Sequence, residues 1–150
     1  MDAVTIRSAG AGDVPRLVEL LRLGALGQDG EDASDPDPYV AALAEIESTP
    51  GSDVLVAVVD DEVVGMCQLI VMRHLHNRGG RCAELESVHV HPDLRDRGIG
   101  TRLVTEAVRT ARDAGCYRVQ LTSNRRRTDA HRFYERVGFQ ATHVGFKLLL

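Results

Sequence analysis

The segment Val88-His89-Val90-His91-Pro92-Asp93-Leu94-Arg95-Asp96-Arg97-Gly98-Ile99-Gly100 carries the residues best placed to do chemistry. A strand-like alternation stops at a proline. A charged turn and two glycines then lead into the helical run Thr101 to Ala114. That order builds a turn at a helix N-terminus, where unpaired backbone N–H groups and the positive end of the dipole hold an anion. Gly98 and Gly100 lack Cβ, so a phosphate can approach the main chain closely. The spacing does not fit the dinucleotide G-x-G-x-x-G, and no Gly-Lys-Ser/Thr of a P-loop follows it.

Several elements must position this turn. Val4 to Arg7 alternates as a first strand, and Gly12 or Asp13 caps a helix with Pro15 in its first turn. Val14, Leu17, Val18, Leu21 and Leu23–Leu26 recur at helical spacing, and a second helix runs from Tyr39 to Ile46. Val54 to Val59 is a nearly apolar strand, read as buried on both faces, and Asp60-Asp61 is a hairpin turn. Glu62 to His76 holds the next strand, with Gly65 marking a bulge, and Asn77 to Gly80 is a second turn. Cys82 to His91 feeds the glycine turn. Leu103, Val104, Ala107, Val108 and Ala111 form one stripe of the helix that follows, and Gly115 stops it. Tyr117 to Thr122 reads as a strand, Asp129 to Arg136 as a helix, and Gln140 to Leu150 as one or two final strands. This order predicts an α+β domain with a mixed sheet flanked by helices. The helical crossover makes the Cys82–His91 and Tyr117–Thr122 strands parallel neighbours.

Composition narrows the function. The 150 residues fit a single domain spanning 1–150. A chain of this length buries roughly 68–70% of its unfolded surface. The net charge of −4 argues against nucleic acid as the main partner. No apolar run reaches the roughly 20 residues that span a bilayer, and Met1-Asp2-Ala3-Val4 has no basic leader, so no membrane partner is expected. Cys67, Cys82 and Cys116 are odd in number and form no C-x-x-C pair, which suggests buried packing residues and a reducing, cytoplasmic setting.

Three motifs coincide between Glu84 and Phe139: Arg95-x-x-Gly98-x-Gly100, Leu121-Thr122-Ser123-Asn124, and Ala130-His131-Arg132-Phe133-Tyr134-Glu135-Arg136-Val137-Gly138-Phe139. Together, and in this order, they resemble the GCN5-related N-acetyltransferase (GNAT) family, as does the order of elements across nearly the whole chain. The resemblance implies acetyl-CoA as cosubstrate. Its pyrophosphate would lie on the main-chain N–H groups of Arg95, Asp96, Arg97, Gly98, Ile99 and Gly100, with Thr101 at the head of the helix. The side chains of Arg95 and Arg97 would add charge-assisted contacts. The resemblance also implies a splay of the two parallel strands beyond Val90 and Leu121. Pantetheine would pair there with the backbone of Val88, His89 and Val90, as an added strand would. Asn124 either contacts the CoA arm or forms a turn, and Arg125-Arg126-Arg127 either meets the 3′-phosphate or is a solvated loop.

Acetyl transfer needs a neutral amine, and near pH 7 only about 0.1% of an alkyl amine is neutral. Glu86, two residues before Val88, matches the place where the family often sets an acidic base. Glu84, on the same face by alternation, is the alternative. Tyr134 matches the hydroxyl that donates to the leaving thiolate. The pairs His74/His76 and His89/His91 lack a third ligand set, and no metal is expected. The acceptor is an amine of a small molecule or peptide. Asp29, Glu31, Asp32, Asp35 and Asp37 form either an acidic rim that attracts it or a solvated loop. Many relatives dimerise, and Leu148-Leu149-Leu150 is either part of a homodimer interface or of a final core strand. The expectation is an acetyl-CoA-dependent N-acetyltransferase working in a ternary complex. The alternatives are a non-catalytic acyl-CoA-binding or sensing module on this fold, and an unrelated anion-binding domain.

Overall fold

The computed structural model describes residues 3–27 and 29–150. Two compact units are present, Met1–Gln120 and Leu121–Leu150. The first contains β1 (Thr5–Ser8), α1 (Val14–Gly24), α2 (Asp37–Ser48), β2 (Asp53–Val59), β3 (Glu62–Arg73), the single turn α3 (His76–Gly79), β4 (Arg81–Val90), α4 (Ile99–Asp113) and β5 (Cys116–Gln120). The second contains α5 (Thr128–Arg136). No helix among the described residues is long and apolar enough to cross a membrane.

The strands form one sheet in the order β1-β2-β3-β4-β5. All neighbours are antiparallel except β4 and β5, which are parallel as the crossover requires. Asp60 and Asp61 both have positive φ, the geometry of a tight hairpin between β2 and β3. The expected bulge lies beside Gly65: Ala57 pairs with Gly65 and Val58 with Val63, so Val64 is the extra residue.

The two faces of the sheet hold different helices. Val54, Val56 and Met66 pack with Leu17, Val18, Leu20 and Leu43 of α1 and α2. Gly65 and Ala57 point the other way, where a Cβ on Gly65 would lie 3.0 Å from Leu103 of α4. Leu103, Ala107 and Cys67 are fully buried, and Val104 and Ala111 nearly so. The stripe read from the sequence is therefore the buried face of α4. That helix starts at Ile99, two residues before the expected Thr101, because Gly98 at φ 79° provides the left-handed entry and Ile99 is buried. Gly115 at φ 80° ends it as expected.

Four expectations need correction. α1 ends at Gly24 rather than Leu26, and Leu23 and Leu26 are both 44% exposed. β5 ends at Gln120, so Leu121 and Thr122 lie outside the sheet. The region 140–150 forms no strand, because alternation supplies two faces but not a neighbouring strand to pair with. Cys67 and Cys82 are buried, but Cys116 is only half-buried.

Leu103 sits where α4 meets the centre of the sheet. Leu103→Ala should lower the unfolding free energy by about 2–5 kcal/mol. A denaturant titration with an unchanged midpoint would contradict this packing.

Candidate active site

The site is built around the second half of β4. The β4–β5 ladder runs from Arg81↔Cys116 to Glu84↔Gln120 and stops. On its other side β4 stays paired with β3 as far as Val90↔Gly65. From Leu85 to Val90, among the described residues, the ladder with β5 does not continue. The parting lies at Glu84 and Gln120, earlier than the expected point beyond Val90 and Leu121.

Plain alternation fails along this stretch. His89 pairs with Met66 and Glu86 with Gln68, so Ser87 and Val88 together oppose Cys67. This is a two-against-one bulge. Ser87 has φ 51°, a left-handed conformation uncommon outside glycine, which places local backbone strain in the middle of the strand. Met66, Gln68 and Ile70 share one face of β3, so their partners His89, Glu86 and Glu84 share one face of β4. That face carries α1: a Cβ on Gly24 would lie 2.1 Å from Nδ1 of His89. The sequence points to the His89 backbone for pantetheine and to its side chain only as one of a histidine pair with His91. Its side chain instead lies in the row with Glu86, and Gly24 leaves the space it occupies. Only the glycine at the helix end hinted at this. Val90 points to the opposite face, toward α4.

Glu84 and Glu86 are both half-buried. Gln120 donates from Nε2 to Oε2 of Glu84 at 3.1 Å, across the last rung of the parallel ladder. Burial pushes the Glu86 carboxyl above the usual carboxylate range, and a hydrogen bond with Glu84 and that neighbour's charge push it further in the same direction. Glu84 is thus a direct neighbour of the Glu86 carboxyl.

Beyond Val90 the chain folds back on itself. His91 accepts from the Asp93 N–H at 3.3 Å and opens a 3-10 turn at Pro92–Leu94. His91 lies outside the strand, so it does not share a strand face with His89. Arg95 donates from Nε to the Val90 carbonyl at 3.3 Å, tying the turn to β4. Asp96 at φ 60° and Gly98 at φ 79° flank Arg97, and such alternation turns successive N–H groups toward one concavity. Ile99, Gly100 and Thr101 form the first turn of the fifteen-residue α4, where N–H groups have no intrahelical acceptor. The side chains of Arg95 and Arg97 are exposed. A phosphate-bearing group suits this set of donors and cations.

In the second unit, Tyr134 lies on α5 with its ring 5.2 Å from that of Phe133 and edge-on to Phe139 at 5.9 Å. Asn124 acts as a turn residue: its Oδ1 accepts from the Arg126 N–H at 3.0 Å, and its carbonyl accepts from the Arg127 N–H at 2.9 Å. Arg125 and Arg126 are exposed.

The acidic loop before α2 is internally bonded. Tyr39 donates to Glu31 at 2.7 Å and accepts from the Asp32 N–H at 2.8 Å, while Ser34 donates to Asp32 at 2.6 Å. An open cleft between this loop and α1 is lined by Glu19, Arg22, Leu23 and Asp29. His74 and His76 meet at the Tyr117 hydroxyl, at 2.6 and 3.2 Å. No cluster of three or more metal-ligating side chains occurs among the described residues. Burial, with a smaller contribution from the charge of Asp53, pushes the Cys67 thiol up to about 12, too high for a nucleophile at neutral pH.

The model of the Acetyltransferase (GNAT) family matches residues 17–139. The chain is 37% identical over 110 residues to an aminoalkylphosphonate N-acetyltransferase of Salmonella typhimurium, covering 73% of this chain and 68% of that protein. It is 32% identical over 126 residues to glucosamine 6-phosphate N-acetyltransferase 1 of Oryza sativa subsp. japonica, covering 81% and 74%. The crystal structure of a transcriptional regulator from Bacillus halodurans C-125 is similar at TM-score 0.92 and 38% identity, over 99% of this chain and 100% of that one. The family match spans most of the chain, including the turn and the parted strands, and the two enzyme relatives match 73% and 81% of it. The protein is a member of the GCN5-related N-acetyltransferase family and an N-acetyltransferase.

Proposed function

We propose that the protein moves the acetyl group of acetyl-CoA to a primary amine by direct attack, with both substrates bound together. The observation that carries this reading is the run from the one-sided edge of β4 into the N–H turn before α4. The edge at Val88, His89 and Val90 offers main-chain donors and acceptors to an extended amide-bearing arm. The N–H groups of Arg95 to Gly100, with Thr101, offer a seat for a pyrophosphate, and Arg95 and Arg97 supply positive charge. Asn124 stands as a further contact for the CoA arm. Acetyl-CoA brings the activated acetyl group as a thioester, so the chain need supply no acyl-enzyme nucleophile. We read residues 1–150 as one acetyltransferase domain working in the cytoplasm, a setting that suits three free cysteines.

Glu86 accepts a proton from the incoming ammonium, directly or through water. A carboxylate held above its usual range is a stronger base at neutral pH, and Glu84 helps hold it there. Tyr134, assigned from its place in the A-x-x-F-Y-x-x-x-G-F motif, donates to the departing thiolate. The acceptor class is a primary amine of a small molecule or peptide. The names of two relatives point to small phosphorus-bearing amines, and the acidic loop favours the cationic end of such a substrate.

Calorimetric titration of acetyl-CoA into the wild type and Gly100→Glu tests the seat. Glutamate in the first turn favours the helix by propensity and by dipole, so the variant should fold. It should bind on the order of 100-fold more weakly, the scale of a misplaced like charge. Equal affinity in the two proteins would refute the seat.

Two further variants test the chemistry. Glu86→Gln should lower kcat by on the order of 100-fold. It should also raise stability at neutral pH: a carboxyl whose folded pKa is raised contributes stability below its unfolded pKa and loses it as pH rises through the folded one. Glu84→Gln removes the neighbouring charge, so the acidic limb of the kcat/KM profile should move to lower pH. An unmoved limb would exclude coupling between the pair. Tyr134→Phe should lower kcat with acetyl-CoA affinity retained, and an unchanged kcat would remove Tyr134 from the mechanism.

A further inference from the structure

His74, His76 and Tyr117 form a polar cluster that the acetyl-transfer reading does not use. The two imidazole rings lie 4.7 Å apart, and each turns a nitrogen toward the Tyr117 hydroxyl, Nδ1 of His74 at 2.6 Å and Nε2 of His76 at 3.2 Å. The cluster joins two parts of the sheet. His74 and His76 belong to the tip between β3 and β4, and Tyr117 to the start of β5. Arg81 pairs with Cys116 and Cys82 with Arg118, so Tyr117 is the extra residue of a bulge at the head of the parallel ladder. Gly80 makes room for the phenol, since a Cβ there would lie 2.8 Å from the Tyr117 ring.

The tip is held against its own preference. Asn77 at φ 53° and Arg78 at φ 61° are successive left-handed residues, and neither is glycine. The His74 N–H donates to the Gly80 carbonyl at 2.8 Å, and Arg73 Nη1 donates to the Gly79 carbonyl at 2.7 Å. The contacts of both histidines with Tyr117 pin this turn to β5.

Such a relay works in one protonation state. The phenol has a single proton, which satisfies one imidazole nitrogen, so the other ring donates its N–H to the phenol oxygen. Two imidazolium rings would both donate, leaving neither as an acceptor and setting two positive charges side by side. The charged groups on the elements that meet here are Arg73 and Arg78 on the tip, Arg81 on β4, Arg118 on β5, and Arg112 and Asp113 at the end of α4. The Arg118 guanidinium lies 5.3 Å over the Tyr117 ring, and Asp113 is engaged by Arg109 at 3.0 Å. Burial, then the charges of His76 and Arg118, hold the His74 imidazole below its usual range. A histidine lowered in this way stabilises the fold above its unfolded pKa of about 6.5, and that contribution is lost as pH falls below it.

We infer that His74, Tyr117 and His76 form a pH-operated clamp, closed while the imidazoles are neutral and opened when they take up protons, which frees the tip 74–80 from β5. The clamp is independent of the acetyl-transfer reading, because it is measured without acetyl-CoA or an acceptor.

The test is hydrogen exchange by NMR on the full chain at about pH 7.5 and about pH 5, with rates corrected for intrinsic exchange. The His74, Gly79 and Gly80 amides should lose more than about tenfold of their protection at the lower pH, while Val56 and Leu69 in the centre of the sheet keep theirs. Tyr117→Phe keeps the ring over Gly80 and removes the hydroxyl. Its tip should be poorly protected at both pH values, and its His74 should titrate closer to about 6.5. If that variant does not fold, His74→Gln, which cannot titrate here, should remove the pH dependence. Equal tip protection at the two pH values in the wild type, a pH dependence that persists in the variant, or loss of protection at Val56 and Leu69 together with the tip would each overturn the inference.

Discussion

The structure of the site follows from one interruption in backbone pairing. β4 is hydrogen-bonded to β3 along nearly its whole length, but to β5 only as far as Glu84↔Gln120. A strand interior normally satisfies both edges, and buried backbone groups left unpaired are costly. Parting the parallel pair therefore takes that edge out of the ladder with β5. The same strand then runs through Val90 into the turn before α4, where N–H groups lack acceptors. The end of the parallel ladder and the helix N-terminus are thus set in series on one continuous piece of chain. An extended arm ending in phosphates is the complementary shape.

The bulge at Ser87 and Val88 decides which side chains accompany that edge. Without it, alternation would turn Glu86, Val88 and Val90 to one face. The extra residue places His89 beside Glu86 and sends Val90 toward α4. The left-handed backbone at Ser87 is a conformation that side chains resist, and β3 holds it in register on both sides. The glycine at the end of α1 then has a steric reason, since any larger residue would meet the His89 ring.

Much of this was readable in the sequence where local chemistry is decisive. The stripe Leu103, Val104, Ala107, Ala111 is periodic enough to place α4 against the sheet, and Gly98 and Gly115 mark its ends by φ values other residues avoid. Asp60-Asp61 announces its hairpin by the same argument. What escaped the sequence depends on partners distant along the chain. A bulge is a mismatch of register with another strand, and Ser87 carries no local mark of it. The point where β4 and β5 part is likewise a property of two strands. Residues 140–150 have strand-like alternation, yet alternation names faces and not neighbours. The role of Asn124 lay between turn and ligand contact. Its bonds to Arg126 and Arg127 form the turn, and these short-range bonds are compatible with a contact to the CoA arm as well.

The acidic row sets a tension between stability and reactivity. Burial disfavours ionisation of the Glu86 carboxyl, and the hydrogen bond and charge of Glu84 beside it add to this. A sheet selected for stability alone would replace such a pair by neutral residues, because none of the ion pairs among the described residues includes either acid. The row is instead held in place: Gln120 bonds Glu84 from the last residue of β5, where the strands begin to part. Parting of the strands and placement of the acids are thereby coupled. Moving Gln120 would alter both, because one residue ends the ladder and seats Glu84.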